Sequence, residues 1–300
     1  MKRRTLTVAL CVSALALTAC GKEGSPTGEA PAQNYPVASN VDVAGSPTFT
    51  KIKQRGRIVM GVKDDQPGMG AKDPVTGQFS GFDIEVGRLV AAGLGYDPSK
   101  IDYKVVQSQG REQAIENGDV DYYVGSYSIN DKRKQRVGFA GPTIVVGQDL
   151  LVRKDDTSIT GPETLKGKKV CSATGSTPIQ NIRDKQLTEP GNIVEFGGYS
   201  QCVDKLLTNQ GVDAVTTDDA ILKGYAAQDP DKLRVVGKPF TVEPEGVGVP
   251  KTDTALRMKI DDILQAALDN GTWQKIYDGT LGKSGATVSP DKMPKIDRYQ

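Results

Sequence analysis

The sequence predicts an α/β fold built from two related units, with a ligand-binding cleft between them. From about Phe49, short apolar segments that suit buried strands alternate with amphipathic segments that suit helices, the pattern of largely parallel sheets. The pattern then starts again: SQCVDKLLTNQGVD (200–213) aligns without gaps on SQGREQAIENGDVD (108–121) and shares five of fourteen residues with it. Because ligands of open α/β sheets bind beyond the carboxyl ends of the strands, two such edges are expected to form a cleft.

The first unit begins with GRIVMGV (56–62), an apolar segment between glycines that predicts a strand. Residues 82–95 follow as a helix that ends in glycine. The apolar residues on one face of that helix are Val86, Leu89, Val90 and Leu94. The next elements are a strand, a short helix and a strand, at DYKVV (102–106), REQAIENG (111–118) and VDYYVGS (120–126).

The second unit repeats this order from GKKVCSA (167–173), which predicts a strand. Two segments, GQDLLVRKD (147–155) and GKPFTVEPEGVGVP (237–250), are expected to cross between the units as strands. The last helical segment begins with Asp253 as its cap and stops at Asn270-Gly271. We expect the final helices to return to the first unit, with Trp273 as a core residue.

The amino terminus predicts export. Residues 1–19 have a basic start and an apolar run too short to span a bilayer comfortably, which indicates a signal peptide, with a short membrane anchor as the alternative. The run ends in LTAC (17–20), which resembles the bacterial lipobox and implies that Cys20 is lipidated. Residues 20–48 are rich in Gly, Ser, Pro and Ala and predict a flexible tether to the outer face of the cytoplasmic membrane.

The composition excludes several classes of functional site and partner. The net charge of +1 gives no reason to expect a nucleic-acid partner, and the absence of histidine excludes His-dependent triads and His metal sites. No GxxxxGKS phosphate loop is present, so neither a cofactor nor a metal is predicted. In an exported chain, the remaining pair Cys171 and Cys202 predicts a disulfide, with two buried free thiols as the alternative. A monomer is the default expectation.

The alignment of the two repeated segments also indicates which residues face the cleft. Ser126 lies five residues beyond Asp121, and Asp218 lies five residues beyond Asp213. The arginine at 133 can bind a carboxylate through two parallel hydrogen bonds, and a carboxylate at 218 suits an ammonium group. Together with Ser128, these residues suit a free amino acid.

Each assignment has an alternative. Arg133 lies among Lys132, Lys134 and Arg136, and such a charge run can be a solvated helix face. Asp218 or its neighbour Asp219 can be only a helix cap, and the two serines can simply finish a strand.

Several separated motifs resemble the family 3 extracellular solute-binding proteins, the polar amino-acid receptors of ABC importers. In order they are GFDIEVGRLVA, NGDVDYYVGSYSINDKRKQRVGFAGP, GSTPIQ and GVDAVTTDDAIL. The similarity covers residues 48–281 and is greatest to glutamate-binding lipoproteins, including KDDQPGMG and SQGRE. It implies a type II periplasmic-binding-protein-like fold of two α/β domains joined by two crossing strands. The implied bounds are 49–147 with 245–285 for domain 1, 148–244 for domain 2 and 286–300 for a tail.

The resemblance implies a role for each matching residue. Arg133 corresponds to the clamp on the ligand α-carboxylate, Asp218 to the partner of the ammonium, and Ser126 and Ser128 to contacts with both groups. The residues implied to complete the carboxylate site from the second domain are Ser176 and Thr177. Those implied to hold a distal carboxylate are Ser108 and Arg111. Gln66 replaces the aromatic residue that usually covers the ligand, and Lys63 is a possible further cation.

The resulting interpretation is a substrate-binding lipoprotein of an ABC transporter, not an enzyme. It would capture L-glutamate by closing its cleft, and the transporter's membrane subunits would recognise the closed form. Aspartate or glutamine remain alternative ligands. A dehydratase-like enzyme acting on cyclic acids and a sensor domain are alternatives of other classes, because the fold alone does not determine function.

Overall fold

The computed structural model describes residues 34–288 and 293–298. Its strands are β1 Ile58–Val62, β2 Asp65–Gln66, β3 Gly70–Lys72, β4 Phe79–Ser80, β5 Ile101–Val105, β6 Tyr122–Tyr123, β7 Val137–Val146, β8 Gln148–Arg153, β9 Val170–Ala173, β10 Ile193–Phe196, β11 Ala214–Asp218, β12 Leu233–Val235 and β13 Glu243–Pro250. Its helices are α1 Pro47–Arg55, α2 Phe82–Gly93, α3 Arg111–Glu116, α4 Asp131–Lys134, α5 Thr177–Asp184, α6 Tyr199–Leu207, α7 Asp219–Gln228, α8 Thr254–Asp269 and α9 Thr272–Gly279.

The predicted signal peptide, the predicted lipidation of Cys20 and residues 21–33 of the predicted tether lie outside the described residues. The same holds for residues 289–292 and 299–300 of the predicted tail. In the part of the chain that the structure describes, no helix combines the length and the apolar character needed to cross a membrane.

Two five-stranded sheets have the same topology. The first sheet has the order β5-β1-β6-β13-β7 and the second has the order β10-β9-β11-β8-β12. In each sheet the first three strands are parallel and the fourth is antiparallel to its neighbours. We call each sheet with its helices a lobe. The duplication predicted from the sequence is therefore confirmed in the order and direction of the strands.

The chain passes between the lobes twice, side by side. Only Gly147 separates β7 from β8, and residues 236–242 lead back from β12 to β13. The amide of Phe240 donates to the carbonyl of Gln148 at 2.9 Å, so the two passages are hydrogen-bonded to each other. This arrangement agrees with the two crossing strands of the type II periplasmic-binding-protein-like fold.

The last helices return to the first lobe, as predicted. Asp253 caps α8 by accepting from the amide of Leu256 at 3.0 Å. Trp273 in α9 is buried, and its indole N–H donates to the carbonyl of Thr143 at the sheet. Trp273 therefore anchors the terminal helices to β7.

A disulfide joins Cys171 in β9 to Cys202 in α6, with 5.6 Å between the two Cα atoms. Both cysteines are fully buried in the second lobe. The predicted pairing is confirmed.

The prediction of a flexible tether up to residue 48 is wrong for its last part. Tyr35 and Val43 are buried, and the Tyr35 hydroxyl donates to Glu85 at 2.8 Å. The hydroxyl of Ser46 donates to Asp253 and also caps α1, which begins at Pro47. Composition hid this packing because single apolar side chains in a Gly- and Pro-rich segment show no periodicity.

Candidate functional site

The two lobes face each other with the carboxyl ends of their parallel strands. Lys63 follows β1, Ser126 lies three residues beyond β6, Ser176 follows β9 and Asp218 ends β11. Strands that run parallel deliver the residues after them to one edge of the sheet. The predicted site residues from distant parts of the chain therefore meet in one cleft.

Ser126 lies on the first wall in an unusual backbone conformation. Its φ of 46° is in the left-handed region, which non-glycine residues rarely adopt. Its amide donates to the Asp83 carboxylate at 2.8 Å, and its hydroxyl donates to Gln66 at 2.9 Å. β6 is shorter than the predicted strand because the chain turns here toward Asp83. Gln66 is buried and is brought to the site by this contact.

Arg133 is buried although Lys132 and Arg136 beside it are exposed. Its guanidinium donates to the carbonyl of Ser128 at 2.7 Å and lies 3.4 Å from the Glu112 carboxylate. The alternative of a solvated helix face is therefore wrong for Arg133.

The second wall approaches the first through the start of α5. The hydroxyls of Ser128 and Thr177 are 2.9 Å apart, and Arg133 reaches the carbonyl of Gly175 at 3.4 Å. Ser176 is the N-cap of α5. In the first turn of α5, Pro178 has no N–H and the Ile179 N–H is capped by Ser176, so the Thr177 N–H and the positive dipole end are what favours an anion there. The two lobes thus contact each other directly beside Arg133 and the start of α5.

Ser108 and Arg111 lie deeper on the first wall. Lys63 donates to the hydroxyl of Ser108 at 2.9 Å, and both side chains are buried. The guanidinium of Arg111 donates to the carbonyls of Ser108 and Ser126 at 3.1 and 3.0 Å. The structure brings these residues together, and their contact with a ligand stays a prediction.

Burial and mutual repulsion affect the cations of this wall. Burial, and then the charge of Arg111, lower the pKa of Lys63 to about 7. The same two causes lower the pKa of Arg133 to about 10. Each cation is less stable in its charged form here than in water. A negatively charged ligand would relieve that cost.

Asp218 is buried on the second wall and stands at the start of α7 without capping it. Its Oδ1 atom has no hydrogen-bond partner. Burial, followed by the charge of Glu243, raises its pKa to about 7. The neighbouring Asp219 is instead tied to Lys223 and to the amide of Gly147. Asp218 is therefore a carboxyl group without a cation, which suits an ammonium.

Sequence reasoning missed three buried residues of the cleft. The sequence pattern places Asp83 in a helix, Tyr127 in a motif and Glu245 in a crossing strand. The Tyr127 ring lies under the guanidiniums of Arg111 and Arg133, at 4.4 and 5.0 Å. The available signal was an acidic residue in the apolar segment PEGVGV, which is unusual for a buried strand.

A cavity of about 430 Å³ opens where the lobes meet. Four predicted site residues line it: Ser108, Arg133, Ser176 and Thr177. The other five predicted site residues do not line this cavity: Gln66, Arg111, Ser126, Ser128 and Asp218. Within the described ranges, no group of three or more Cys, Asp or Glu side chains could hold a metal ion.

Comparison with known proteins agrees with this architecture. The glutamine-binding protein of Geobacillus stearothermophilus is 38% identical over 258 residues, covering 84% of this chain and 95% of that protein. The glutamate-binding protein GluB of Corynebacterium efficiens is 35% identical over 294 residues, covering 94% of this chain and 91% of that protein. The structure of an ancestral arginine-binding protein bound to glutamine is 32% identical, with a TM-score of 0.69. The match covers 76% of this chain and 99% of that structure.

The family profile of the bacterial extracellular solute-binding proteins, family 3, matches residues 58–283. This range includes every strand and helix that contributes to the cleft. The chain therefore belongs to the bacterial extracellular solute-binding proteins, family 3.

Proposed function

We propose that this protein is the substrate-binding component of an ABC transporter and captures L-glutamate without transforming it. The relatives named above bind glutamine or glutamate, and the family is one of solute-binding proteins. The observation that carries the proposal is the charge arrangement of the cleft. Three buried cations, Lys63, Arg111 and Arg133, lie on the first wall, and the buried Asp218 on the second wall has a carboxyl oxygen without a donor.

This arrangement suits a molecule with two carboxylates and one ammonium. Arg133 and the start of α5 would bind the α-carboxylate, and Asp218 would bind the α-ammonium. Lys63 with Ser108 would bind the distal carboxylate, and Arg111 would add positive potential there. Glutamate would supply a counter-ion that stabilises the charged form of Lys63, whereas glutamine would not, which favours glutamate.

Cleft closure would couple binding to recognition by the membrane subunits. The lobes touch at several points, including Ser128 with Thr177, and Asp65 of β2 with the amide of Ser200 in α6 at 3.1 Å. A ligand that contacts both walls adds interactions only in the closed form and raises its population. We propose that the protein works as a monomer in this way.

The test is calorimetric titration of the purified, ligand-stripped protein with glutamate, aspartate, glutamine and arginine. We expect glutamate to bind tightest and to be recovered unchanged. Lys63→Gln should weaken glutamate binding about 10- to 100-fold, the loss of a charge-assisted hydrogen bond, and affect glutamine much less. Lys100→Gln, an exposed residue before β5 at the opposite edge of the sheet, is the matched control.

Two results would contradict the proposal in different ways. Tighter binding of glutamine by the wild-type protein would overturn the ligand and leave the transport role. Binding of no amino acid, or chemical conversion of the bound one, would overturn the transport role itself.

We further propose that Cys20 carries a lipid that holds the protein at the outer face of the cytoplasmic membrane. The support is the lipobox-like LTAC at 17–20 after a basic and apolar start. Cys20→Ser should move the protein from the membrane fraction to the soluble exported fraction. An unchanged membrane fraction would show that another segment holds the protein.

A further inference from the structure

Glu245 lies on β13, at the point where the chain re-enters the first lobe. Its backbone is fixed beside the site: it pairs with Ser128 in an isolated bridge, and its carbonyl accepts from the Thr143 hydroxyl at 3.2 Å. The next amide, of Gly246, donates to the carbonyl of Tyr127 at 3.1 Å. The side chain of Glu245 therefore has a defined position next to the residues proposed to bind the ligand.

The carboxyl group of Glu245 is buried beside that of Asp218 and has no nitrogen or hydroxyl donor. Glu245 is 1% exposed, and neither of its side-chain oxygens has such a donor. Asp218 is 2% exposed, and its Oδ1 atom has none either. The two carboxyls contact each other, but one proton between them can make only one hydrogen bond. The remaining buried oxygens would be costly unless a cationic or donor group fills the space they face.

The two carboxyl groups interact with each other. Burial, and then the charge of Asp218, raise the pKa of Glu245 well above its usual range. The other charged groups that act on the pair are the acids Asp83, Asp219 and Glu243 and the cation Arg111. Two neighbouring buried carboxyls cannot both ionise readily, so the ligand-free pair retains a proton.

We propose that Glu245 is a second acceptor for the α-ammonium of the ligand, beside Asp218, and that the ammonium displaces the proton that these two carboxyls share. This inference rests on the proposed function to the extent that the ligand is an α-amino acid. The pair begins with one proton and one negative charge and ends with two negative charges facing the ammonium. The displaced proton leaves to the solvent, so charge and atoms balance.

Such a pair selects for a primary amine. A dicarboxylate without the amino group would leave the proton in place and gain no partner for either carboxyl. The site would accept glutamate, glutamine or another α-amino acid equally at this end. Glu245 would therefore recognise the amino-acid class, whereas Lys63 and Ser108 would choose among its members.

The test counts protons released on binding. L-glutamate is titrated into the purified protein at about pH 6, where the pair is still protonated, in phosphate and in imidazole, whose ionisation enthalpies differ. The difference in observed enthalpy gives the protons released per ligand. We expect the wild-type protein to release about one proton more than Glu245→Gln, whose amide can donate to Asp218. As the pH rises, the Kd of the wild type should then fall by up to about ten-fold per pH unit more than the Kd of the variant does.

Two controls make the result specific. Glu189→Gln makes the same chemical change at an exposed residue, where the Gly167 amide helps to lower the pKa to about 2, and should release as many protons as the wild type. Glutarate, which is glutamate without its amino group, should release no proton from the wild type. Proton release by glutarate would overturn the inference even if Glu245→Gln does not fold.

Equal proton counts for wild type and Glu245→Gln would overturn the inference, as would proton release by glutarate. If glutamine proves to be the tighter ligand, the same titration with glutamine applies, because its α-ammonium is identical. Binding with an unchanged proton count would overturn this inference alone, whereas binding of no amino acid would overturn the proposed function with it.

Discussion

At the scale of single residues, the cleft is held in place by contacts that do not require the ligand. The left-handed backbone of Ser126 costs about 1 kcal/mol or more for a residue with a Cβ atom. The Asp83 carboxylate offsets that cost by accepting from the Ser126 amide at 2.8 Å. The Ser126 hydroxyl is thereby fixed toward Gln66 before any ligand arrives.

Tyr127 performs a similar task for the two arginines. A guanidinium is planar and weakly hydrated, so it can lie against an aromatic face, whose negative potential attracts it. Arg111 and Arg133 both use this ring, and Arg111 also donates to the carbonyl of Ser126. Arg111 therefore positions the first wall as well as adding charge to it.

At the scale of elements, α7 of the second lobe approaches the loop after β2 so closely that only glycine fits. A Cβ atom built on Gly224 would lie 1.9 Å from the carbonyl oxygen of Pro67. The contact joins the two lobes, because Pro67 belongs to the first and Gly224 to the second. Tyr225, the next residue, donates to the carbonyl of Asp65 at the same contact.

Gly224→Ala should block closure without touching the proposed ligand contacts. We expect ligand affinity to fall at least about ten-fold, since the closed form must distort to admit the methyl group. The free energy of unfolding without ligand should stay equal or rise by up to about 1 kcal/mol, because alanine is the better helix former. Calorimetric titration and chemical denaturation measure the two quantities. Unchanged affinity would show that the lobes close without this contact.

Part of the secondary structure could be predicted, because its signals are local in the sequence. Apolar patterning and glycine boundaries located six of the thirteen described strands, the repeated SQ…N…VD pattern indicated the duplication, and the cap at Asp253 marked α8. Asp83 and Glu245 were not recognised as parts of the cleft for a physical reason. Their role depends on burial and on what faces them, and neither property follows from position in a helix or strand. The packing of residues 34–46 was not predicted because the apolar residues of this segment have no regular spacing.

At the scale of the whole molecule, buried ionisable groups make folding depend on pH in opposite directions. Burial raises the pKa of Asp83 to about 7, as it does for Asp218, and raises that of Glu245 well above its usual range. Between about pH 4 and pH 7, these acids bind more protons in the folded than in the unfolded chain. Their contribution to the free energy of unfolding therefore falls as the pH rises through that range.

Lys63 acts in the opposite sense above neutrality. Its folded pKa of about 7 lies below the usual 10.5, so between these values the unfolded chain binds more protons and stability rises with pH. We expect the ligand-free protein to melt about 2–5 °C lower near pH 7 than near pH 5, as measured by scanning calorimetry. Saturating ligand should reduce this difference, because its ammonium compensates the buried acids. Glu245→Gln should weaken the fall of the melting temperature with rising pH, and Lys63→Gln should remove the rise that Lys63 contributes above pH 7. A ligand-free melting temperature that is highest at pH 7 would contradict the claim that uncompensated charges are buried in the empty cleft.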